Sequence, residues 1–304
     1  MLHVTLRQLQ VLEAVARHLS FSRAAEELHL TQPAVSMQIK QLEEGVGLPL
    51  FEQIGKKIFL TDAGNEIYYY SRSIAQQLAE AEAVLNEMKG LKRGKLNISV
   101  VSTANYFAPQ LLALFCQRNQ SVTLSLNVIN REVLINQLAH NEMDLGVMGL
   151  PPDGLDIDAE PFMENPLVVI APPGHPLARE RKIQLPRLAQ ETFIVREQGS
   201  GTRSAMERFF VEHNLKLSTG MEMSTNEAIK QAVQAGMGLG VVSIHTITLE
   251  LETKRLVVLD VESFPILRHW YVVHRKGKRL SVVAQAFKEF LLQEAAQVMQ
   301  TVKP

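Results

Sequence analysis

The stretch "LTQPAVSMQIKQLE", residues 30–43, predicts a helix with one buried face. Thr31 is a natural N-cap, and Pro33 falls in the first turn, where its missing N–H has no intrahelical partner. An aliphatic stripe at the i, i+4, i+7 spacing marks the buried face. The stripe consists of Val35, Ile39 and Leu42.

The opposite face of this helix is short and mostly polar, because each residue turns the helix by about 100°. Its members are Pro33, Ser36, Met37 and Lys40, with Gln32 at the leading end. A face of this kind suits a helix that enters a narrow space. In a DNA groove, Gln32 and Ser36 could hydrogen-bond base edges.

Two further helical segments precede this one. Residues 6–18 have the apolar spacing of an amphipathic helix, and "SFSRAAEEL" offers Ser22 as an N-cap and small alanines for close helix contact. The three-residue turn "HLT" then completes a helix-turn-helix unit, whose second helix enters the major groove. Arg23, at the start of the preceding helix, is placed to reach phosphate.

A basic hairpin is predicted next, over "LFEQIGKKIFLT", residues 50–61. The pattern alternates around Gly55 and carries Lys56 and Lys57 near the tip, where two cations could lie along a DNA backbone. Helical hairpins are common in the cores of proteins that do not bind DNA, and lysines on a turn usually just face solvent. Each element alone is therefore only a weak indication of DNA binding. Their complete order favours a winged helix-turn-helix DNA-binding domain over residues 1–61.

Charge and composition limit the class of protein. The 304 residues suggest about two domains, and the formal net charge is −1. Residues 1–60 carry equal numbers of acidic and basic side chains, so any DNA binding must rest on geometry rather than on a basic domain. The single Cys116 excludes an intrachain disulfide. With no signal-peptide pattern and no apolar run near about 20 residues, we expect a cytoplasmic protein that does not use a membrane.

Residues 62–89 predict one long helix of about 42 Å. Ile67, Ile74, Ala81 and Met88 share one heptad position, and Ser71, Leu78 and Leu85 share another four residues later. A seam of this kind usually packs against a copy of itself, which predicts a homodimer through residues 62–89. Packing against its own domain is the alternative. "KGLKRGK", residues 89–95, then indicates a hinge, so the linker spans residues 62–94.

Strand and helix patterns alternate from residue 96 onward, which predicts parallel sheets flanked by helices. Ligands of such sheets bind beyond the carboxyl ends of strands. Hydroxyls, amides and glycines stand at four strand-to-helix corners, where they could bind an anion or simply cap a helix. The candidate ligand contacts are Ser102, Thr103, Asn105, Asn130, Gly199, Ser200, Gly201, Thr202 and Asn226.

The sequence contains no convincing pattern of an enzyme active site. We predict no catalytic residue, no metal site and no cofactor. "GMGLG", residues 236–240, follows a helix and precedes a strand, the reverse of a dinucleotide loop. Cys116 lies on an aliphatic helix, which favours a place in the core. The histidines show no metal-ligand spacing.

The first sixty residues closely resemble the N-terminal module of LysR-type transcriptional regulators, from "LRQLQVLEAVARHLSFSRAAEELHLTQPAVSMQIKQLEE" to "FEQIGKKIFLTDAG". The resemblance implies recognition through Gln32, Pro33 and Ser36. Many members carry Arg where this chain has Met37, for which contact with a thymine methyl is a substitute. It also implies an α/β effector domain of two lobes like periplasmic binding proteins: lobe I, residues 95–164 with 266–304, and lobe II, residues 165–265.

Within that family, "VVSTANYFAPQLLALF", "EPFMENPLVVIAPPGHPLA" and "REQGSGTRSAMERFF" are similar to regulators of Rubisco and carbon-fixation operons. This resemblance implies an effector among phosphorylated sugars, organic acids or NADPH. It also implies dyad-symmetric double-stranded DNA, a dimer of dimers and RNA polymerase as partners. The alternative function is a solute-binding or enzymatic α/β protein with an N-terminal helical interaction module.

Overall fold

The computed structural model describes residues 3–55, 57–88 and 94–301. These residues form two compact units. The first comprises the described residues up to Glu82 together with His140–Glu142, and the second comprises the remainder. Among the described residues, no helix is long and apolar enough to cross a membrane.

Three helices build the N-terminal unit: α1 (Leu6–His18), α2 (Phe21–Glu27) and α3 (Gln32–Val46). Thr5 caps α1 in a capping box with Gln8. Helices α1 and α3 have the predicted positions, and four residues rather than three separate α2 from α3.

The N-cap of α2 is Ser20, not the predicted Ser22. The Ser20 hydroxyl accepts from the Arg23 N–H at 3.4 Å, while Ser22 lies inside the helix. Thr31 caps α3 as predicted and accepts from the Ala34 N–H. Ser is a favourable N-cap at either position, and with the earlier start Phe21, the first residue of α2, packs against the apolar core.

One apolar core joins the three helices. The predicted stripe of α3 lies fully inside it, and the small residues of α2 allow α1 and α3 to approach closely. The buried members are Val11, Leu12, Ala14, Val15, Ala24, Ala25, Val35, Ile39, Leu42 and Leu50.

The hairpin consists of β1 (Phe51–Ile54) and β2 (Lys57–Leu60), which pair antiparallel. Gly55 turns the chain with a φ of +65°, a left-handed conformation that Gly adopts at low cost. The predicted phosphate contact Lys56 lies outside the described residues.

Helix α4 (Asp62–Met88) starts directly against this hairpin. The Thr61 hydroxyl donates to the Pro49 carbonyl at 2.7 Å and accepts from the Gly64 N–H at 3.0 Å. Gly64 packs so closely on Leu50 that a Cβ would lie 2.0 Å from the Leu50 carbonyl oxygen. This junction fixes where the long helix starts against the hairpin of the N-terminal unit.

The second unit alternates strands and helices in two layered lobes. In chain order its elements are β3 (Gly94–Val101), α5 (Ala108–Arg118), β4 (Val122–Ile129), α6 (Arg131–Ala139), β5 (Leu145–Met148), β6 (Ile157–Glu164), β7 (Leu167–Ala171), α7 (Leu185–Leu188), β8 (Thr192–Arg196), α8 (Gly201–Glu212), β9 (Ser218–Met223), α9 (Asn226–Gln234), β10 (Leu239–Ser243), α10 (Thr248–Glu252), β11 (Val257–Val258), β12 (His269–Arg275) and α11 (Val282–Thr301).

Each lobe contains one five-stranded sheet. The first has the order β4-β3-β5-β12-β6, and the second has the order β11-β7-β10-β8-β9. The expectation of parallel sheets was wrong in part, because β12 runs antiparallel to β5 and β6, and β7 runs antiparallel to β10. The reversal arises where the chain leaves one lobe for the other, since such a strand enters the sheet without a helical crossover.

The two chain segments that cross between the lobes pair with each other. The Asn165 N–H donates to the Arg268 carbonyl at 2.7 Å, and Leu167 and Ile266 exchange hydrogen bonds of 2.9 and 3.0 Å. The lobes are thus joined by a short antiparallel ribbon. The exact domain boundaries given above stay predictions.

Candidate functional site

The outward face of α3 presents the side chains predicted to read DNA. Gln32, Pro33, Met37 and Lys40 are exposed, and Ser36 is half-buried. Gln32 Nε2 donates to Ser36 Oγ at 3.0 Å, which orients both polar groups at the start of the helix. The structure therefore brings these residues onto one face, and their contact with DNA stays a prediction.

Two unpaired cations lie on neighbouring elements of the same unit, Arg23 on α2 and Lys57 on β2. Arg23 and Lys57 are exposed, and within the described part of the chain neither has an acidic partner. Arg17 and His18 differ, because both bind Glu27, at 2.5 and 2.6 Å. The hydrogen bond from His18 is the main cause that lowers the pKa of Glu27. Arg23 and Lys57 therefore keep an unneutralised charge, and so does the exposed Lys40, while their contact with phosphate stays a prediction.

A cleft of about 240 Å³ lies between the two lobes of the second unit. Its walls are the carboxyl ends of β3, β4, β5 and β8 and the first turns of α8. This is where ligands bind to open α/β sheets.

Six of the nine predicted ligand contacts line the cleft: Ser102, Thr103, Asn130, Ser200, Gly201 and Thr202. Ser200 and Thr202 are each 6% exposed, which places them on its inner wall. Helix α8 begins at Gly201, so its first N–H groups and its dipole face the cleft.

Three predicted contacts do not line the cleft. Asn105 points to solvent in the turn after β3. Gly199 supplies a left-handed backbone conformation, with φ +82°, that turns the chain into α8. Asn226 is 4% exposed, and its Oδ1 accepts from Arg196 Nη1 at 2.8 Å, behind the cleft wall. Even Asn130, which does line the cleft, uses its Oδ1 to cap α6 at Val133.

The charge of Arg196 is neutralised within the cleft wall. Its Nε and Nη2 form two hydrogen bonds with the Glu197 carboxylate, at 2.7 and 2.8 Å. Ser224 and Asn226 hold the same guanidinium from the other side. This pair therefore leaves little charge for a ligand.

Three arginines that the sequence did not single out carry the electrostatics of the cleft: Arg131, Arg208 and Arg268. Burial lowers the pKa of Arg131. Burial, followed by repulsion from Arg208 and Arg131, lowers the pKa of Arg268 to about 10. A group of like charges in one cleft strongly favours an anionic ligand.

Of these three arginines, only Arg131 could have been predicted from the sequence as a residue of the cleft. Arg131 directly follows Asn130, a predicted ligand contact at a strand-to-helix corner. Arg208 lies two turns into α8, and Arg268 comes from the distant segment that returns to lobe I, so neither has a local signature.

Comparisons with known proteins agree with this architecture. Residues 89–296 match the family described as LysR substrate binding domain, and residues 6–65 match the bacterial regulatory helix-turn-helix proteins of the lysR family. The chain belongs to the LysR family. It is 61% identical over 297 residues to the RuBisCO operon transcriptional regulator of Allochromatium vinosum, a match that covers 98% of both chains.

Two solved structures of LysR-family proteins are informative. The CcmR regulatory domain of Synechocystis PCC6803 in complex with 2-PG is 43% identical, with a TM-score of 0.63 over 66% of this chain and 96% of that chain. CbnR complexed with its target DNA is similar over 96% and 100% of the two chains, with a TM-score of 0.72. At 19% identity, the second likeness shows the fold alone.

The resemblance to LysR-type regulators of Rubisco operons and the predicted fold class are thereby confirmed. This LysR-family chain is a DNA-binding transcriptional regulator and not an enzyme. The alternative of an α/β solute-binding protein or enzyme is excluded, because the relatives are regulators over their full length.

Proposed function

We propose that this LysR-family regulator controls a Rubisco operon and responds to a small phosphorylated anion in the cleft of its second unit. Full-length identity of 61% to a RuBisCO operon transcriptional regulator supports the target. The single observation that carries the effector is the cleft itself, which three unneutralised guanidiniums line together with the start of α8. Since an operon regulator works on the chromosome, we place it in the cytoplasm. A contact with RNA polymerase stays a prediction.

The proposed DNA partner is a dyad-symmetric duplex that two copies of the chain bind together. One helix-turn-helix reads one half-site, and successive half-sites lie about 34 Å apart on one face of the duplex. The exposed start of α3 fits the major groove, with Arg23 and Lys57 beside it for the backbone.

Replacing Gln32 by Ala should weaken operator binding by about 1–3 kcal/mol, because a side-chain amide at this position reads a base edge. Lys57→Ala serves as the matched control, since loss of a phosphate contact weakens all duplexes alike. Fluorescence anisotropy with operator and random duplexes, over a series of salt concentrations, measures both. Equal losses on both duplexes for Gln32→Ala would contradict a recognition role for α3.

The homodimer is proposed to form through α4. Ile74, Leu78 and Leu85 are 37%, 48% and 55% exposed in the single chain. Beside them, α1 and α4 enclose a groove of about 210 Å³ that Leu6 and Leu9 help to line. The first half of the predicted seam packs within the chain, where Ile67 contacts the N-terminal core and the Ser71 hydroxyl donates to the Leu9 carbonyl. The exposed apolar second half of this 27-residue helix fits a second copy of the same helix. We further propose a dimer of dimers.

The volume of the cleft limits the size of the effector that it can hold. At about 240 Å³ it is smaller than the pockets of about 300–1,000 Å³ that hold drug-sized ligands. A dinucleotide such as NADPH is larger than a drug-sized ligand. The volume of the cleft therefore favours a phosphorylated acid or a short phosphorylated sugar. The regulatory domain of one relative was solved in complex with 2-PG, which supports this choice.

Replacing Thr202 by Val should weaken effector binding while it leaves effector-free DNA affinity nearly unchanged. Val keeps the volume of Thr202 but removes a hydroxyl on the buried inner wall, and a hydrogen bond to a charged group is worth about 1.5–3 kcal/mol. Asn105→Ala is the matched control, because Asn105 follows the same strand-to-helix pattern and lies outside the cleft. Calorimetry with 2-phosphoglycolate compares the three proteins. Equal binding by all three would place the site elsewhere.

The operon itself is tested with genomic DNA. The purified protein should retain fragments upstream of Rubisco genes, and footprinting should show two protected half-sites. The cleft ligand should alter that footprint, because an effector acts only through different affinities for two conformations. Retention of unrelated fragments alone would refute the proposed target.

A further inference from the structure

Glu43, in the last turn of α3, binds the start of the hairpin. Its Oε1 accepts a hydrogen bond from the Leu50 N–H at 2.7 Å and another from the Phe51 N–H at 3.3 Å. Phe51 is the first residue of β1, and Leu50 directly precedes it. A single carboxylate oxygen therefore links α3, which carries the predicted reading face, to the strand that leads to the tip of the hairpin.

These two hydrogen bonds involve the charge of Glu43. The side chain is half-buried, and among the described residues no cation forms an ion pair with it. A carboxylate that accepts from backbone N–H groups forms shorter and stronger hydrogen bonds than a neutral acceptor does. Leu50 is fully buried, so its N–H would lack a partner if the carboxylate were withdrawn.

Other contacts hold the start of the hairpin without involving α3. The Thr61 N–H donates to the Leu50 carbonyl at 3.0 Å, and the Thr61 hydroxyl donates to the Pro49 carbonyl at 2.7 Å. Apolar packing does join α3 to the hairpin, but the hydrophobic effect has no preferred direction. Within the described part of the chain, the hydrogen bonds of Glu43 are thus the directional contacts between α3 and the hairpin.

The orientation at the start of the hairpin determines where its tip lies. A strand rises by about 3.3 Å per residue, so the 4 residues of β1 carry the chain about 13 Å from Phe51 to the turn at Gly55. Lys57, the first residue of β2, is exposed just beyond this turn. A small rotation at Phe51 is therefore enlarged at Lys57.

We propose that Glu43 is a positioning residue for DNA binding, which sets the distance between the start of α3 and Lys57 without touching DNA itself. Glu43 lies eleven residues after Gln32, about 16 Å along the axis of α3, so it is remote from the predicted base contacts. With the hairpin held in place, one duplex can be bound by Gln32 and Lys57 at the same time. This role rests on the proposed function, because it requires the phosphate contact of Lys57.

Two substitutions separate the reach of Glu43 from its charge. Glu43→Asp keeps the charge and shortens the side chain by one methylene group, whereas Glu43→Gln removes the charge and keeps an acceptor oxygen at the same reach. If the position of the hairpin decides, Glu43→Asp binds DNA more weakly and Glu43→Gln does not. If charge alone decided, Glu43→Asp would bind as the wild type does and Glu43→Gln would bind more tightly.

Fluorescence anisotropy of the full chain with a random-sequence duplex measures this difference, over a series of salt concentrations and below the Tm of every variant. We expect Glu43→Asp to lower the affinity by about tenfold and the slope of log affinity against log salt by about one, as the loss of one phosphate contact does. Glu43→Gln should stay within about twofold of the wild type. Glu44→Asp is the matched control, because Glu44 is the next residue of α3 and is exposed. It should change neither quantity.

Combination with Lys57→Ala shows whether Glu43 acts through Lys57. In a protein that already carries Lys57→Ala, Glu43→Asp should lower the affinity by less than about twofold, because the contact that it displaces is absent. Losses that multiply to about 100-fold in the double variant would refute the positioning role.

The remaining outcomes separate this role from the proposed DNA contacts. A Glu43→Asp protein with a lower Tm but with the affinity and salt slope of the wild type would show that Glu43 only stabilises the fold. If Lys57→Ala weakens binding and Glu43→Asp does not, the positioning role is wrong and the phosphate contact of Lys57 stands. If Lys57→Ala changes neither affinity nor slope, the phosphate contact and the positioning role are both wrong.

Discussion

Placing Asp at both Leu78 and Leu85 is expected to dissociate the homodimer and to lower operator affinity by about 100-fold or more. Both side chains lie on the exposed seam of α4, at 48% and 55% exposure in the single chain. In a dimer they would be buried, and the burial of an unpaired carboxylate costs several kcal/mol. Two such residues exceed what a coiled seam of this length can offset.

Sedimentation of the full chain measures the mass, and anisotropy with the operator measures the affinity. Gln77→Asp is the control, since Gln77 is exposed on the same helix one residue outside the seam. It should leave both quantities unchanged. A double variant that keeps the wild-type mass would show that α4 packs elsewhere and that another surface forms the dimer.

Replacing Gly64 by Ala is expected to destabilise the DNA-binding unit by about 3 kcal/mol, the upper end for overpacking. The added Cβ would lie 2.0 Å from the Leu50 carbonyl oxygen, a backbone atom that cannot turn aside. Thr61 fixes both neighbouring segments by hydrogen bonds, so the strain cannot relax by a shift of α4 alone.

Hydrogen exchange of the full chain locates this effect. Amides of α1, α2 and α3 should exchange about 100-fold faster in Gly64→Ala, while the sheets of the second unit keep their protection. Asn65→Ala is the matched control, because Asn65 is exposed in the same helical turn. Unchanged exchange in α3 would mean that the junction accommodates a methyl group.

The DNA-binding unit could be predicted from the sequence because its signals are local. The apolar stripe of α3, its Thr31 cap and the turn at Gly55 each lie within a few residues of the element that they define. Burial of Val35, Ile39 and Leu42 follows from spacing alone. The start of α2 was misplaced by two residues since two serines compete for one cap.

The cleft was only partly predictable, because contacts between distant segments have no local signature. Strand-to-helix corners predicted Ser102 and Thr202 in the wall, but the same pattern gave Asn226, which instead supports Arg196. Arg268 enters the cleft only because the chain returns from lobe II to lobe I. The antiparallel strands at the crossings also follow from that return, which residue patterns do not encode.

The paired crossing segments at Asn165 and Ile266 have a mechanical consequence. Two hydrogen-bonded strands resist twisting and shear more than a single linker does. Such a ribbon bends more easily out of the plane that contains its two strands. We therefore expect the lobes to open and close along nearly one coordinate. A ligand that draws the two walls of the cleft together would then set the angle between the lobes.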